Sequence, residues 1–394
     1  VFAYVWIAVA AVTHAHLLIG GDVALPLLQI KIGLIAFFVA APLIVVLVHW
    51  ALLQRHVLLA RKAIEFDHAL RMLEATNERR HPLRLELHSH FLTQLLAGPD
   101  RSALMTALLR GQGWLTLALV PVVLLLVILV QFLPYHDAGV TWLHRLALLA
   151  DLLVGGALAV FLLRPDVSFR AALGRTVTSR PIRLGLAGLF AVLAIGFAFL
   201  SATVPDEWLD GLAPHMPGPL RSALHGLLPI TRDPSSDTAF GIRRNLVVTD
   251  VVGALSGLDS HPLTLRARDL SHADLSRADL RHADLNGSNL DGAILASVRL
   301  EGASLGCLDT GAWRRGDTRS ARCTSLRGAD LSGASASNAK LNGTDLTGAR
   351  LASANLMSAE MAGARLAGAD LTLAHLEQAD LTGAVLIGAS LAKA

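Results

Sequence analysis

A leucine at every fifth residue is the feature that most constrains how this 394-residue chain can fold. In the stretch ADLSRADLRHADL, residues 273–285, the leucines are Leu275, Leu280 and Leu285. An amphipathic α-helix needs apolar residues at a period near 3.6, and a half-buried strand needs a period of 2. A period of five fits neither. Such self-similarity decides the fold and has to be settled before any local assignment.

The five-residue pattern covers the C-terminal third of the chain. Its centres run from Leu265 to Leu305, break off, and resume from Leu326 to Leu391, which gives nine centres before the break and fourteen after it. A small residue stands two positions before most centres, and the other three positions are mostly polar or glycine. Among the centres that we expect to be buried are Leu270, Leu275, Leu280, Leu285, Leu290, Leu331, Leu346, Leu371 and Leu381.

A chain that buries one leucine and one small residue in every five has to wind, so that successive turns stack their leucines. The segment resembles the pentapeptide-repeat family, whose consensus is A-(D/N)-L-x-x. The resemblance implies a right-handed quadrilateral β-helix with one pentapeptide per face and four per coil. Twenty-three centres then make nearly six coils, about 27 Å long at a strand spacing of about 4.8 Å. Residues twenty apart stack, so we expect Asp269 to meet Asn289 and Asp274 to meet Ile294.

The break in the repeat predicts a loop, residues 306–324, that bulges from the coil. It is bracketed by Cys307 and Cys323, the only cysteines of the chain. A disulfide there closes a loop of about 15 residues and stabilises by about 3 kcal/mol. Two free buried thiols are the alternative, which a reducing compartment would impose.

The same loop holds the candidate protein contact, Trp313 followed by Arg314 and Arg315. An aromatic residue flanked by arginine has the composition of a binding hot spot. The alternative is a loop packed on its own coil, with Trp313 covering leucine side chains, and the sequence favours neither.

The first half of the chain has the composition of a membrane domain. The chain is 53% hydrophobic, its mean hydropathy is +0.52, and a bilayer-spanning helix needs about 20 apolar residues. We predict an α-helical transmembrane domain over 1–203 with about five spans, at 1–19, 34–53, 114–133, 142–163 and 184–203. The sequence begins at Val1 rather than methionine, so we expect residues to precede it.

Basic residues set the predicted orientation. Loop 54–113 holds nine Lys and Arg residues and loop 164–183 holds five, whereas loop 134–141 holds none. Arg145 lies near the predicted outer end of the span 142–163, where the rule disfavours a positive charge, and so argues weakly against this orientation. The rule places the helical loop 54–113 in the cytoplasm and the repeat domain, 261–394, outside it. We therefore expect a multi-pass protein of the bacterial inner membrane with a periplasmic repeat domain, which is the oxidising side.

The segment 204–260 is predicted to link the two domains. It includes a short helix at 219–228 and a strand, RRNLVVTD, that caps the first coil. The whole arrangement resembles membrane-anchored bacterial pentapeptide-repeat proteins, through FFVAAPLIVVLVHWALLQ, RRNLVVTD and LRARDLSHADL. That group has no assigned activity, so the resemblance implies architecture more than function.

A search for catalytic and metal-binding motifs gives little. No P-loop, G-x-G-x-x-G after a strand, H-E-x-x-H or G-x-S-x-G is present. The pairs His14/His16 and His88/His90, the latter with His81 nearby, lack a third metal ligand at a helpful spacing. His49 and Asp151 lie inside predicted spans, where an ionisable group is a functional hypothesis by default. A paired structural role is favoured there over transport.

Nucleic acid is a disfavoured partner. Some soluble pentapeptide-repeat proteins protect DNA gyrase through a strongly acidic surface, but residues 261–394 hold 14 Lys and Arg against 14 Asp and Glu.

The sequence therefore favours a non-catalytic, cofactor-free membrane protein that presents a rigid rod for protein binding or scaffolding at the cell envelope. The alternatives are a transport or channel-associated component, and a cytoplasmic repeat domain that regulates a soluble partner. The expected partners are the lipid bilayer, an unknown protein and a second copy joined through the C-terminal coil end.

Overall fold

The computed structural model describes an N-terminal group of helices and a C-terminal β-helix. The described residues are 1–25, 30–73, 84, 90–98, 102–163, 171, 174, 178, 181–202, 238–239, 242–243, 245–249 and 263–394. The helix predicted at 219–228 lies outside these residues, as do His81 and His88 and most of loop 164–183.

The N-terminal part is built mainly of helices, with two short hairpins. The helices are α1 (Phe2–Ala10), α2 (His14–Ile19), α3 (Leu34–Leu73), α4 (Phe91–Leu96), α5 (Ala103–Trp114), α6 (Val120–Phe132), α7 (Ala138–Leu163) and α8 (Pro181–Gly196). A π-helical turn, Leu115–Leu119, joins α5 to α6, a second one, Phe197–Ser201, follows α8, and a 3₁₀ turn, Leu133–Tyr135, follows α6. The antiparallel hairpins pair β1 (Asp22–Leu25) with β2 (Ile30–Gly33) and β3 (Thr238–Ala239) with β4 (Ile242–Arg243).

Three helices of the described chain are long and apolar enough to cross a membrane, where the sequence predicted five spans. They are Leu34–Met72, Ala103–Tyr135 and Ala138–Val160. The span predicted at 184–203 forms a shorter apolar helix, Leu184–Phe199.

The span predicted at 1–19 is divided into α1 and α2, which corrects the sequence-based assignment. Thr13 Oγ1 accepts a hydrogen bond from the His16 N–H at 3.3 Å, and His16 Nδ1 accepts one from the Thr13 N–H at 3.2 Å. This reciprocal capping box starts a new helix in the middle of the apolar segment. Average hydropathy does not register such a local signal.

The C-terminal part is a quadrilateral β-helix in which residues twenty apart form parallel bridges. Asp269 pairs with Asn289 and Asp274 with Ile294, as the sequence predicted. The repeat centres point inward, and Leu270, Leu346 and Leu371 are almost fully buried. Of the predicted centres, Leu381 in the last coil is only partly buried.

The acidic position of the repeat forms the turns between faces. Asp330 Oδ1, for example, accepts the N–H of Ser332, two residues later, at 3.0 Å. Asn289 does the same for Asp291 at 3.1 Å, because an amide oxygen serves as well as a carboxylate. The residue two positions after every centre except Leu305, where the insertion begins, has a positive φ, as in Gly343 at 72°. Glycine adopts this conformation without strain.

The predicted bulge appears as a change of register in the third coil. Asn289 pairs with Ser325, 36 residues later, instead of with a residue 20 later. The segment 306–324 therefore adds 16 residues to one corner of the rod without shifting the faces on either side. It holds two short helices, α9 (Thr310–Arg314) and α10 (Thr318–Ala321).

The first coil of the rod is docked on one end of the helical part. Arg268 donates hydrogen bonds from its guanidinium to the carbonyl oxygens of Leu17 at 3.1 Å and Leu18 at 3.4 Å, at the C-terminal end of α2. The same guanidinium lies 3.9 Å from the ring centroid of Tyr135. In addition, the Val247 N–H donates to His14 Nδ1 at 3.0 Å.

The edge of the first coil is covered by part of the linker. Val247 forms a parallel bridge with Asp274, and the Val248 N–H donates to the Asp274 carbonyl oxygen at 2.8 Å. These bonds occupy backbone groups that would otherwise be open to pairing with another strand.

Candidate functional site

The insertion 306–324, which we call the corner loop, lies over one corner of the rod. The turn residues of that corner are Gly287, Gly343 and Gly363. A Cβ atom on Gly343 would lie 2.5 Å from Trp313 Nε1, and one on Gly363 would lie 2.9 Å from Trp313 Cζ2. A Cβ on Gly287 would overlap the Leu308 side chain. Glycine at this corner therefore lets the loop pack directly on the backbone of the rod.

The corner loop is held together by helix caps and by its two cysteines. Asp309 Oδ1 accepts the Ala312 N–H at 2.9 Å at the start of α9, and Asp317 Oδ1 accepts the Ser320 N–H at 3.1 Å at the start of α10. Hydrogen bonding to Ser320 holds the pKa of the Asp317 carboxyl below its usual value. The structure joins the sulfur atoms of Cys307 and Cys323 across the base of the loop.

Trp313, one of the predicted contact residues, is half-buried, and its ring faces the rod. It packs with Ala312, Ala321 and the two cysteines in a small apolar cluster. The structure thus places it in the packed arrangement that the sequence left open, although it covers glycines of the corner and not leucines of the core.

The arginines of the corner loop point to solvent without ion-pair partners in the described chain. The loop also contains Arg319 and Arg322, and all four arginines, including Arg314 and Arg315, are exposed. The loop's two carboxylates, on Asp309 and Asp317, accept the helix-capping bonds. The local charge is therefore positive, in a repeat domain whose net charge is zero.

The arginines on the flat faces of the rod behave differently. Arg281 and Arg299 lie 2.7 and 3.3 Å from the same Asp279 carboxylate oxygen. Arg350 lies 3.8 Å from Asp330, and further pairs are Arg266 with Asp284 and Arg365 with Asp345. These five face arginines thus neutralise aspartates of the rod, whereas the described residues provide no such partner for the corner-loop arginines.

A shallow cleft of about 270 Å³ separates the corner loop from the rod. Lys340 and Arg314 contribute its cations, and Asn286 and Asn342 contribute amides. Asn286 Oδ1 already accepts the Gly306 N–H at 2.7 Å, and Asn342 Oδ1 accepts the Ala362 N–H at 3.0 Å. Asn342 Nδ2 donates to the Glu360 carboxylate at 2.9 Å. Two cations against this one carboxylate leave the cleft positively charged, which suits an anionic group on a partner.

The histidines considered as metal ligands have other contacts. His14 accepts a hydrogen bond from Val247 and His16 belongs to the capping box of α2. Within the part of the chain that the structure describes, no group of three or more His, Cys, Asp or Glu side chains could hold a metal ion.

The paired role predicted for His49 and Asp151 matches their geometry. His49 Nδ1 lies 2.7 Å from Asp151 Oδ1, and both side chains are buried. Sequence reasoning did not single out His144, which is also buried and whose Nε2 lies 2.8 Å from the Phe38 carbonyl oxygen. In the sequence, the spacing of seven residues between His144 and Asp151 indicates that both side chains lie on the same face of a helix.

A family model for pentapeptide repeats matches eight copies, over residues 269–306, 324–361 and 359–394. The comparison with curated proteins gives no match. The gap between the first two matched ranges coincides with the corner loop.

Solved structures of pentapeptide-repeat proteins are similar to part of this chain. Rfr23 from the cyanobacterium Cyanothece 51142 is 32% identical over 26% of this chain and 58% of its own, with a TM-score of 0.21. HetL from the cyanobacterium Nostoc sp. strain PCC 7120, a protein involved in heterocyst differentiation regulation, is 33% identical over 33% of this chain and 68% of its own, with a TM-score of 0.15. QnrB1, a plasmid-mediated fluoroquinolone resistance protein, is 21% identical over 33% of this chain and 64% of its own, with a TM-score of 0.20.

The matched residues are those that carry the leucine columns and the stacked bridges of the rod. The C-terminal third of this chain is a pentapeptide-repeat domain.

Proposed function

We propose that this chain is a multi-pass membrane protein that holds a rigid pentapeptide-repeat rod outside the cytoplasm and presents the corner loop to an acidic segment of a partner protein. The role is binding or scaffolding, without catalysis. The observation that carries the proposal is a set of exposed arginines, without ion-pair partners among the described residues, on a loop whose Trp313 packs on the rod.

Apolar side chains on the outside of the helices support membrane integration. Leu47 on α3, Leu153 on α7 and Val192 on α8 are 61%, 74% and 65% exposed. Exposed apolar residues on long helices are unfavourable in water and suit lipid tails.

The contacts of the rod support its sidedness. The rod touches the helical part at Leu17, Leu18 and Tyr135, which is the end beside the loop 134–141 without Lys or Arg. Arg55, Arg61, Lys62 and Arg71 lie along the C-terminal half of α3, toward the other end. The positive-inside rule then assigns that other end to the cytoplasm and the rod to the opposite side.

The charge of the corner loop supports a protein partner with an acidic segment. Arginine is enriched at binding hot spots, and its planar fork pairs with carboxylates through two hydrogen bonds. A rod docked on the helices and a loop packed on the rod present these groups with little loss of conformational freedom on binding.

Two experiments test the proposal. For sidedness, alkaline phosphatase fused after residue 394 should be active and green fluorescent protein at the same position dark. The reverse result would favour the cytoplasmic alternative, in which the rod acts on a soluble partner.

For binding, a photoreactive amino acid replaces Arg315, and crosslinked proteins are identified by mass spectrometry in cells. The crosslink should decrease at least tenfold when Arg314 and Arg319 are changed to glutamate, and should persist when Arg350, on a rod face, is changed to glutamate. Equal crosslinking in both variants would contradict a role for the corner-loop arginines.

A further inference from the structure

Ionisable side chains follow the contact between α3 and α7 at intervals of two helical turns. Asp137 precedes α7, and His144 and Asp151 follow at steps of seven residues, while His49 and His56 have the same spacing on α3. Seven residues rise about 10.5 Å and return to nearly the same face of a helix. Asp137 to Asp151 therefore covers about 21 Å and His49 to His56 another 10.5 Å or so, which together match a hydrocarbon core about 30 Å thick.

The centre of this series is a pair that must contain two protons. His49 Nδ1 lies 2.7 Å from Asp151 Oδ1, and His49 Nε2 lies 3.1 Å from the Leu117 carbonyl oxygen. A carbonyl oxygen only accepts, so Nε2 carries a proton. The second proton lies in the short bond between Nδ1 and Oδ1, on either atom, and the pair is neutral in both arrangements.

The Leu117 carbonyl belongs to the π-helical turn Leu115–Leu119. Such turns interrupt the regular hydrogen-bond pattern of an α-helix and occur often at functional sites. Here the turn lies beside the imidazole in the middle of a long apolar helix.

Two buried acceptor atoms of the series have no hydrogen-bond partner among the described residues. They are Asp151 Oδ2 and His144 Nδ1. His144 Nε2 donates to the Phe38 carbonyl oxygen at 2.8 Å, so Nδ1 holds a lone pair. A buried acceptor without a partner costs free energy, and a proton or a transient water satisfies it. Both atoms belong to α7, two turns apart.

The ends of the series reach less buried groups. Asp137 is half-buried, near the end of the helical part on which the rod is docked. At the other end, His56 donates from Nδ1 to the Leu52 carbonyl oxygen at 2.7 Å, and its ring lies 5.2 Å from that of the half-buried His90. The intervals hold both small and bulky residues: Ala147 and Leu148 lie between His144 and Asp151, and a Cβ on Gly155 would lie 3.8 Å from His49 Cε1 and 3.9 Å from Leu53 Cδ1.

We propose that the contact between α3 and α7 is a proton path across the membrane, centred on His49 and Asp151. A proton from His144 Nδ1 binds to Asp151 Oδ2, which leaves a protonated carboxyl beside an imidazolium. The imidazolium then releases the Nε2 proton toward His56, which leaves a neutral pair with its protons on Asp151 Oδ2 and His49 Nδ1. Rotation of the carboxyl and tautomer exchange of the imidazole through transient water return these protons to their starting atoms before the next transfer. One proton enters and one leaves, and transient hydration of the intervals connects the groups.

This inference rests on the proposed membrane location, and the experiment separates the two. The full-length protein is reconstituted in liposomes that contain a pH-sensitive dye, and flotation on a density gradient first tests integration. A potassium diffusion potential set with valinomycin then drives proton uptake. Protein that does not float would contradict the membrane location itself.

For liposomes that contain the protein, we expect proton uptake at least tenfold faster than in protein-free liposomes. The variants Asp151→Asn and His144→Gln should decrease uptake to the protein-free rate, because each keeps a hydrogen-bonding group and removes a titratable one. The matched controls Asp380→Asn and His375→Gln lie on the exposed rod and should conduct like the wild type.

Two results would overturn the proton path. One is proton uptake by wild-type liposomes at the same rate as by protein-free liposomes. This test uses only the wild-type protein, so misfolding of a variant cannot affect it. The other is unchanged uptake in Asp151→Asn or His144→Gln variants whose helical circular dichroism and gel-filtration profile match the wild type.

Discussion

The indole ring of Trp313 lies directly on Gly343, with its Nε1 atom 2.5 Å from where a Cβ atom would stand on that residue. The contact joins a residue of the non-repetitive corner loop to a corner of the rod that repeats every twenty residues. It explains why the tryptophan is half-buried while the arginines after it are exposed.

Gly343→Asn should detach the corner loop from the rod. Asparagine tolerates a positive φ better than most residues, so the variant mainly adds a side chain where the indole lies. We expect a cost of about 1–3 kcal/mol, red-shifted tryptophan fluorescence and faster tryptic cleavage after Arg314 and Arg315. Gly348→Asn is the matched control, because its φ of 70° is similar and no atom of the described residues lies within 4 Å of the added Cβ. Equal effects of the two substitutions would contradict the packing of the loop.

The double variant Cys307→Ser/Cys323→Ser should lose about 3 kcal/mol of stability relative to the oxidised protein, because the bond closes a loop across 16 residues. Urea unfolding measures the difference, and the reduced wild type should unfold like the variant. Free thiols in protein taken from membranes without reductant would instead indicate a reducing compartment, and with it a cytoplasmic rod.

The stability of the rod should decrease in acid. The Arg281 side chain, which donates to the Asp279 carboxylate, holds the pKa of that group below its usual value of 3.8, and Thr372 and Thr382 lower the pKa values of Asp370 and Asp380. A carboxyl with a lower pKa in the folded state stabilises it above the unfolded pKa, and this contribution is lost as pH falls through the folded pKa. Urea midpoints should therefore drop between about pH 5 and pH 1.

Asp279→Asn tests one part of that acid response. Asn289 shows that an amide at this repeat position still accepts the N–H two residues later, so the turn should persist without the charge. The variant should be less stable than the wild type at pH 7 and less sensitive to acid. An identical pH profile in both proteins would show that the pairing with Arg281 contributes nothing.

The rod was predictable from the sequence to the level of register, whereas the packing of the corner loop and the division of residues 1–19 were not, for physical reasons. A fixed period sets the number of residues per coil, so the pairing of Asp269 with Asn289 follows from counting. The corner loop has no period, and nothing in its sequence indicates that Trp313 packs on Gly343 and not on leucines. The division of residues 1–19 depends on one capping box at Thr13, which hydropathy averaging does not detect.

Arg268→Met should loosen the docking of the rod on the helices. Burial lowers the pKa of the Arg268 guanidinium from its usual value, because the folded protein has removed this charge from water. The carbonyl oxygens of Leu17 and Leu18 and the ring of Tyr135 compensate for that removal.

Methionine at position 268 keeps the apolar stem of the arginine and loses both hydrogen bonds and the contact with the ring. The first coil should therefore separate from the end of α2 more easily. Spin labels at Ala11 and Ser276 should give a broader distance distribution in the variant than in the wild type. Arg350→Met, at a solvent-exposed face pair, is the matched control and should leave the distribution unchanged. A distribution that stays narrow in Arg268→Met would mean that Val247 and His14 hold the rod in place without the guanidinium.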